Sequence, residues 1–178
     1  EYLRELTGGF VAVNSTSAAI FASGEVGKDD PQIGLNPPLP KIQVGVNVED
    51  STLFNIGFLE ARAIATPGHT PGAMSWTWES CEGDVCKTIV YADSLTPVSN
   101  DTYRFSDHPD YVAAYYRSLD KIAVLDCDIL LAPHPSSSGM RDKLLAGDLT
   151  GGMNCRNYAD SLRARLDARL AQEAGAAN

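Results

Sequence analysis

The segment 66–72, with the sequence Thr-Pro-Gly-His-Thr-Pro-Gly, constrains the fold of this chain more than any other feature. A single histidine, His69, stands between two Pro-Gly pairs directly after the apolar-rich run 58–65. Proline fixes its own φ angle and glycine adopts conformations closed to other residues, so the flanks predict a stiff, close-turning loop at a strand end. Such a loop aims one imidazole as a metal ligand requires, although a turn that merely contains a histidine is the alternative.

Length and charge narrow the functional classes. A chain of 178 residues with 44% apolar residues is long enough to bury the core of a single domain, residues 1–178. Its net charge of −9 repels phosphate backbones, so we expect no nucleic-acid partner. No apolar run approaches the ~18 residues of a membrane span, and no signal peptide is visible. Because the chain opens with Glu1, we expect it to be processed or cut from a longer polypeptide.

The four cysteines suggest an oxidising compartment. Cys81 and Cys86 bracket a polar turn between two strand-like runs, where a disulfide is sterically reasonable. Cys127 and Cys155 would then pair across a longer loop, before the final helix. An even number of cysteines that pair sensibly favours a periplasmic or secreted protein. Four buried free thiols in a cytosolic protein are the alternative.

Hydrophobic periodicity predicts strands that alternate with helices. Apolar residues recur at helical spacing over 110–125 and 157–173, and a short helix over 18–22 would be capped by one of the residues 15–17. The segment 25–40 is rich in Gly, Pro and Asp and predicts a long irregular loop. This alternation favours a layered α/β domain. The strands are predicted at 10–13, 42–48, 52–56, 58–65, 73–79, 87–92 and 128–132.

Polar residues follow three of the predicted strands. His69 follows the strand 58–65, and Asp93 and Ser94 follow the strand 87–92. His134 follows the strand 128–132 and lies between two prolines. Active sites of layered α/β proteins collect where strand ends meet loops, and imidazole is a good zinc ligand. These residues therefore predict part of a zinc site. His108 precedes a proline near a helix start, and we expect it to be a surface or capping residue.

Several segments resemble those of a known family. The loop 66–72, then 91–96 (Tyr-Ala-Asp-Ser-Leu-Thr) and 132–135 (Ala-Pro-His-Pro), in this order and spacing, are similar to segments of metallo-β-lactamases. The third subclass of class B matches best, because its zinc ligands are histidines and one aspartate without cysteine. Ser94 distinguishes this subclass from relatives that carry a cysteine or a metal-bridging aspartate near this point. The resemblance spans the whole chain, including 125–130 and 155–159.

The resemblance implies a fold and a set of site residues. The fold would be the α/β class, as the C-terminal portion of the metallo-β-lactamase αββα sandwich. His69 would be a ligand of the first zinc and His134 a ligand of the second. Ser94 and Thr96 would line the pocket and bind the carboxylate of the substrate. The loop 25–40 would lie along the rim of the active site.

The resemblance also implies the reaction. The full enzyme would hold two Zn²⁺ ions and hydrolyse the lactam amide of β-lactam antibiotics with metal-bound hydroxide. The disulfide of the family would join Cys127 to Cys155, whereas a Cys81–Cys86 bridge occurs in only some relatives. The expected partners are β-lactam small molecules, with neither a membrane nor a nucleic acid.

One part of the family pattern is missing. The main zinc-binding motif, His-x-His-x-Asp-His, does not occur, since the chain has only His69, His108 and His134. Each zinc site would keep one ligand, whereas catalytic zinc normally has three protein ligands and a water. The missing half would include one sheet of the sandwich. We therefore expect a bared apolar face that carries some of Met74, Trp76, Trp78, Ile89 and Tyr91.

Three functional interpretations follow from this pattern. The chain is the C-terminal part of a zinc β-lactamase, weak or inactive alone, or it is a non-catalytic fragment or interaction module. Another metallo-hydrolase, such as a lactonase, is the third. The bared face should drive self-association or pairing with a missing N-terminal half.

Overall fold

The structure, a computed structural model, describes residues 2–176 of the chain. Residues 1, 177 and 178 lie outside this range. Within it, the chain forms seven strands and five α-helices. They are α1 Tyr2–Thr7, β1 Val11–Val13, α2 Ser15–Ser23, β2 Val44–Asn47, β3 Leu53–Ile56, β4 Leu59–Ala65, β5 Met74–Glu82, β6 Val85–Tyr91, α3 Pro109–Ala123, β7 Ile129–Leu131, α4 Arg141–Leu145 and α5 Cys155–Gly175.

The strands form two sheets. Strands β3 to β7 form a five-stranded sheet in chain order, and β1 pairs with β2 in parallel as a separate two-stranded sheet. Neighbours in the larger sheet are antiparallel except β6 and β7, which are parallel. Strands β4, β6 and β7 therefore point in the same direction, and their carboxyl ends lie at one edge. The layered α/β architecture expected from the sequence is confirmed.

One face of the five-stranded sheet packs against helices α3 and α5. Val90 of β6 and Leu130 of β7 are paired in register and point into this core. The helices contribute residues spaced three or four apart, so each presents one apolar stripe to the sheet. These buried residues are Tyr115, Leu119 and Ile122 of α3 and Tyr158, Leu162 and Leu166 of α5. No helix within residues 2–176 combines the length and apolarity needed to cross a bilayer.

The opposite face of the sheet carries the aromatic residues of β5. Trp76 pairs with Ala63 and Tyr91, and Trp78 pairs with Ala61 and Ile89, so alternation places all of them on one face. Both tryptophans are only half-buried. They line an apolar groove of about 440 Å³, together with Phe10, Ala12, Phe54, Ile56, Leu59 and Gly9. This is the apolar face that the sequence predicts to be bared.

Helix α2 begins three residues earlier than the sequence indicates. Its cap is Asn14, whose Oδ1 accepts a hydrogen bond from Ser17 N at 2.9 Å, and not one of residues 15–17. Those residues already lie in the first turn, where their N–H groups need an acceptor. Helix α5 begins in the same way, because Asn154 Oδ1 accepts from Asn157 N at 2.8 Å. Gly24 ends α2 in the left-handed conformation.

Two local features differ from the sequence analysis. The hairpin of β3 and β4 turns at Gly57 and Phe58, because Ile56 still pairs with Leu59. Gly57 has a φ angle of 62°, which a tight two-residue turn requires. The short helix α4, which the sequence analysis did not predict, spans Arg141–Leu145.

Both expected disulfides are present. Cys81 and Cys86 face each other across β5 and β6, and Cys127 joins the segment before β7 to Cys155 at the start of α5. No free cysteine remains, so the alternative of four free thiols is wrong.

Candidate metal centre

The three polar segments expected to form the site lie at one edge of the sheet. His69 follows β4, Ser94 and Thr96 follow β6, and His134 follows β7. These strands share one direction, so their following loops meet beyond the same edge. Tyr91 pairs with Leu131, and Ser94 and His134 each come three residues after that pair. Topology therefore brings the three segments to the same edge of the sheet.

The His69 ring is oriented by the Thr96 backbone. Its Nδ1 lies 2.8 Å from the Thr96 carbonyl oxygen. A carbonyl can only accept a hydrogen bond, so Nδ1 carries the proton and Nε2 keeps a free lone pair. Histidines that bind metals usually donate their second nitrogen to a carbonyl or carboxylate in this way. The half-buried His69 thus fits a metal ligand that binds through Nε2.

Two hydroxyl groups extend from His69. Thr96 Oγ1 lies 3.3 Å from His69 Nδ1, and Ser94 Oγ lies 3.1 Å from Thr96 Oγ1. Because Nδ1–H donates toward Thr96, Thr96 Oγ1 is an acceptor for His69, and either hydroxyl group can donate in the contact between Thr96 and Ser94. Ser94 is buried, with 6% of its surface exposed, and Thr96 is half-buried. The structure therefore joins His69, Thr96 and Ser94 in one hydrogen-bonded chain.

Asp93, beside Ser94, has a structural role. Its Oδ1 accepts from Ser94 N at 2.7 Å and its Oδ2 from Met74 N at 3.3 Å. Burial raises the pKa of the Asp93 carboxyl, while these two N–H groups and the nearby His69 oppose the rise. Since both oxygens accept backbone hydrogen bonds, Asp93 ties the start of β5 to the end of β6.

The loop 25–40 is fastened to the His69 segment. Gln32 Nε2 donates to the His69 carbonyl oxygen at 2.9 Å, and Asp30 Oδ1 accepts from Gln32 N at 2.8 Å. Asp30 is buried, and burial raises the pKa of its carboxyl. The sequence analysis did not single out Gln32 or Asp30, because a contact across 37 residues leaves no local pattern.

The other two histidines have different surroundings. His134 is exposed, and among residues 2–176 its ring has no hydrogen-bond partner. Its carbonyl accepts from Ser137 N at 2.8 Å and so begins the short 3-10 turn Pro135–Ser138. His108 stacks on the Tyr103 ring, with 4.4 Å between ring centroids, and precedes α3 without a capping bond from its side chain. His108 is therefore a half-buried packing residue at the cap position.

The described residues do not complete a catalytic zinc site. Within 2–176, one group of three or more His, Cys, Asp and Glu side chains brings its donor atoms within 4.8 Å of one another, namely Glu79, Cys81 and Cys86. Its two sulfur atoms form a disulfide and cannot act as thiolate ligands. Zinc needs about three protein ligands, and this chain offers two imidazoles after strands β4 and β7.

Solved structures similar to this one identify the family. MIM-2 metallo-β-lactamase is 45% identical at a TM-score of 0.88, over 97% of this chain and 63% of that protein. SMB-1 metallo-β-lactamase, solved with bound 2-mercaptoethanesulfonate, is 38% identical at a TM-score of 0.88, over 97% of this chain and 69% of that one. MEM-A1, a subclass B3 metallo-β-lactamase from a soil metagenome library, is 33% identical at a TM-score of 0.86, over 98% of this chain and 69% of that one.

The chain belongs to the metallo-β-lactamase family, subclass B3. The resemblance seen in the sequence and the fold that it implies are confirmed. No sequence-family model matches the chain. The chain spans less than two thirds of the length of MIM-2.

Proposed function

We propose that this chain is the C-terminal part of a zinc-dependent β-lactamase. His69 and His134 each contribute one metal ligand, and Ser94 and Thr96 bind the carboxylate of the β-lactam. The observation that carries this proposal is the 2.8 Å contact between His69 Nδ1 and the Thr96 carbonyl, which leaves Nε2 free, while the hydroxyl groups of Thr96 and Ser94 lie on the Nδ1 side of the ring. His134 is exposed, and its ring has no hydrogen-bond partner among residues 2–176. This supports the proposed role of His134 as a metal ligand.

Zinc, when bound, supplies hydroxide at neutral pH by lowering the pKa of a bound water. The residues of this chain would hold the metal and orient the substrate. His69 offers Nε2 to the metal, and Ser94 offers a hydroxyl proton to an anion. Its two disulfides support a periplasmic or secreted location, where such bonds persist.

We expect the 178-residue chain by itself to show no appreciable hydrolysis of a chromogenic cephalosporin and to retain less than one zinc per chain. Two imidazoles are too few for a catalytic zinc site. Absorbance assays with and without zinc, and metal analysis after dialysis, measure both quantities. Turnover of a carbapenem at an ordinary enzymatic rate would contradict this expectation.

A chimera tests the proposed function itself. This chain covers 63% of MIM-2, and the resemblance implies that the rest lies on the N-terminal side, so that part of MIM-2 is fused ahead of residue 2 to supply the full fold. We expect β-lactam hydrolysis that EDTA abolishes and zinc restores, and a loss of about 100-fold for His69→Ala and for His134→Ala. His108→Ala is the matched control and should keep the activity. Hydrolysis of homoserine lactones without hydrolysis of β-lactams would reject the β-lactamase assignment.

The apolar groove favours a second function, that of an interaction module. Trp76, Trp78 and Ile56 line it, and Ile56 is 60% exposed. Apolar surface of this kind is normally covered by a partner or by another part of the fold. The occupant in this interpretation is a second copy of the chain or the missing part of the sandwich.

We expect the isolated chain to self-associate through this groove. Ile56→Lys should raise the dissociation constant about five-fold or more, because it places a charge where apolar surface is buried. Phe58→Lys is the control, since Phe58 is fully exposed in the same hairpin but does not line the groove. Sedimentation velocity measures the association. A wild-type chain that stays monomeric at ~100 μM, well above typical weak dissociation constants, would contradict the expectation.

A further inference from the structure

Three hydroxyl groups of helix α3 contact the loops of the candidate site. Tyr111 OH donates to the Gly68 carbonyl at 3.0 Å, Tyr115 OH to the Leu95 carbonyl at 2.6 Å and Ser118 Oγ to the Pro67 carbonyl at 2.7 Å. Spacings of four and three residues place these three side chains on one face of the helix.

The three acceptor carbonyls lie on both sides of the contact between His69 and Thr96. Pro67 and Gly68 directly precede His69, and Leu95 lies between Ser94 and Thr96. One helix face therefore holds two loops that are otherwise separated by strands β5 and β6.

These hydrogen bonds are shielded from water. Tyr115 is fully buried and Ser118 is 1% exposed, while Tyr111 is half-buried. Burial raises the pKa of Tyr111 and of Tyr115 above the ordinary value, so both phenols remain protonated donors at neutral pH. A buried carbonyl that loses its donor is left unsatisfied, which makes each of these bonds costly to break.

The Tyr115 ring limits movement in the opposite direction. A Cβ at Gly68 would lie 2.5 Å from one of its ring atoms, so the loop already touches the ring. The ring keeps the His69 loop from moving closer to α3, and the hydroxyl groups keep both loops from moving away.

We propose that Tyr111, Tyr115 and Ser118 are positioning residues, which hold the His69 loop and the Ser94–Thr96 loop at the separation that keeps His69 Nδ1 hydrogen-bonded to the Thr96 carbonyl. This bond fixes the proton on Nδ1 and leaves Nε2 free. The role of a free Nε2 as a metal ligand rests on the proposed function. The positioning of the two loops requires no bound metal.

The state of the His69 ring in the metal-free chain tests the proposal. Nitrogen-15 NMR of the full 178-residue chain, labelled at histidine, reports the proportion of His69 with its proton on Nδ1 or on Nε2. We expect Tyr111→Phe, Tyr115→Phe and Ser118→Ala each to lower the ratio of the Nδ1–H form to the Nε2–H form by about five-fold, the factor of one hydrogen bond.

Tyr116→Phe is the matched control. Tyr116 lies on the same helix and its hydroxyl donates to Asp167 of α5, away from both loops. This variant loses a tyrosine hydroxyl and its bond, yet it should leave the His69 ratio unchanged. A comparable change in Tyr116→Phe would overturn the proposal, because general loosening of α3 would then explain the effect.

An unchanged ratio in the three test variants would also overturn it. If Tyr115→Phe fails to fold, Tyr111→Phe and Ser118→Ala still test the proposal. Each of these two variants removes a single oxygen atom and leaves the fully buried Tyr115 in place. Zinc titration of the chimera separates the two proposals. A ratio that falls in the variants, with His69 signals that zinc does not move, would support the positioning role and contradict the proposed function.

Discussion

Removing the Cys127–Cys155 bridge should lower the free energy of unfolding by about 3.5 kcal/mol. The bridge closes a loop with a sequence separation of 28 residues, and a closed loop reduces the entropy of the unfolded chain. Cys155 is buried at the start of α5, so the bridge also fixes this helix to the segment before β7. The Cys127→Ala, Cys155→Ala double variant removes both sulfur atoms and leaves no reactive thiol at this site.

The second disulfide is the internal control. Cys81 and Cys86 have a sequence separation of 5, so their replacement by alanine should cost about 2 kcal/mol by the same relation. Urea unfolding of both double variants, followed by circular dichroism, gives the two free energies. Equal losses, or no loss for the larger loop, would contradict the chain-entropy argument for this protein.

Replacing Gly68 with alanine should destabilise the chain by about 3 kcal/mol and disturb His69. The new Cβ would lie 2.5, 2.6 and 2.9 Å from three atoms of the Tyr115 ring. This ring is fully buried and its hydroxyl is bound to Leu95, so it has little freedom to withdraw. Overpacking of a filled core typically costs one to three kcal/mol, about the size expected here.

Gly27→Ala is the matched control for this change. No atom lies within 4 Å of a Cβ placed on Gly27, so its unfolding free energy should change little. Chemical unfolding and the His69 ring signals in NMR spectra measure the two effects. A Gly68→Ala variant with wild-type stability and unshifted His69 signals would show that the Tyr115 ring does not limit this loop.

The reason for the glycines in the loop 66–72 differs from the sequence argument. The sequence indicates that glycine supplies an unusual backbone conformation there, but neither Gly68 nor Gly72 has a positive φ angle. Both glycines instead allow close approach. A Cβ at Gly72 would lie 2.3 Å from Ser17 Oγ of α2, just as one at Gly68 would meet Tyr115 of α3. The loop is therefore clamped between two helices, which no local sequence pattern reveals.

Much of the candidate site follows from sequence. The placement of His69, Ser94 and His134 after three strands is local, and strand direction then brings these residues to one edge. The pairing of the cysteines follows from their number and spacing. The ligand roles of His69 and His134, and the substrate-binding roles of Ser94 and Thr96, remain predictions that the chimera tests.

The supporting contacts could not be predicted in this way. Gln32, Tyr111 and Ser118 reach the loop of His69 from 37, 43 and 51 positions away from their acceptors. A tyrosine on an amphipathic helix predicts burial, but the partner of its hydroxyl depends on which loop passes over that helix face.

The amino-acid order by itself determined the strands, the two long helices α3 and α5, the position of His69 and His134 in loops after strands, and the disulfides, because each depends on residues near one another or on simple pairing. Packing in three dimensions decided which nitrogen of His69 stays free. The proton lies on Nδ1 because that nitrogen donates to the carbonyl of Thr96, which is 27 positions later in the chain. It also decided that Trp76 and Trp78, on the face that the sequence predicts to be bared, are half-buried in a groove, because burial depends on what lies opposite a strand and not on the strand alone.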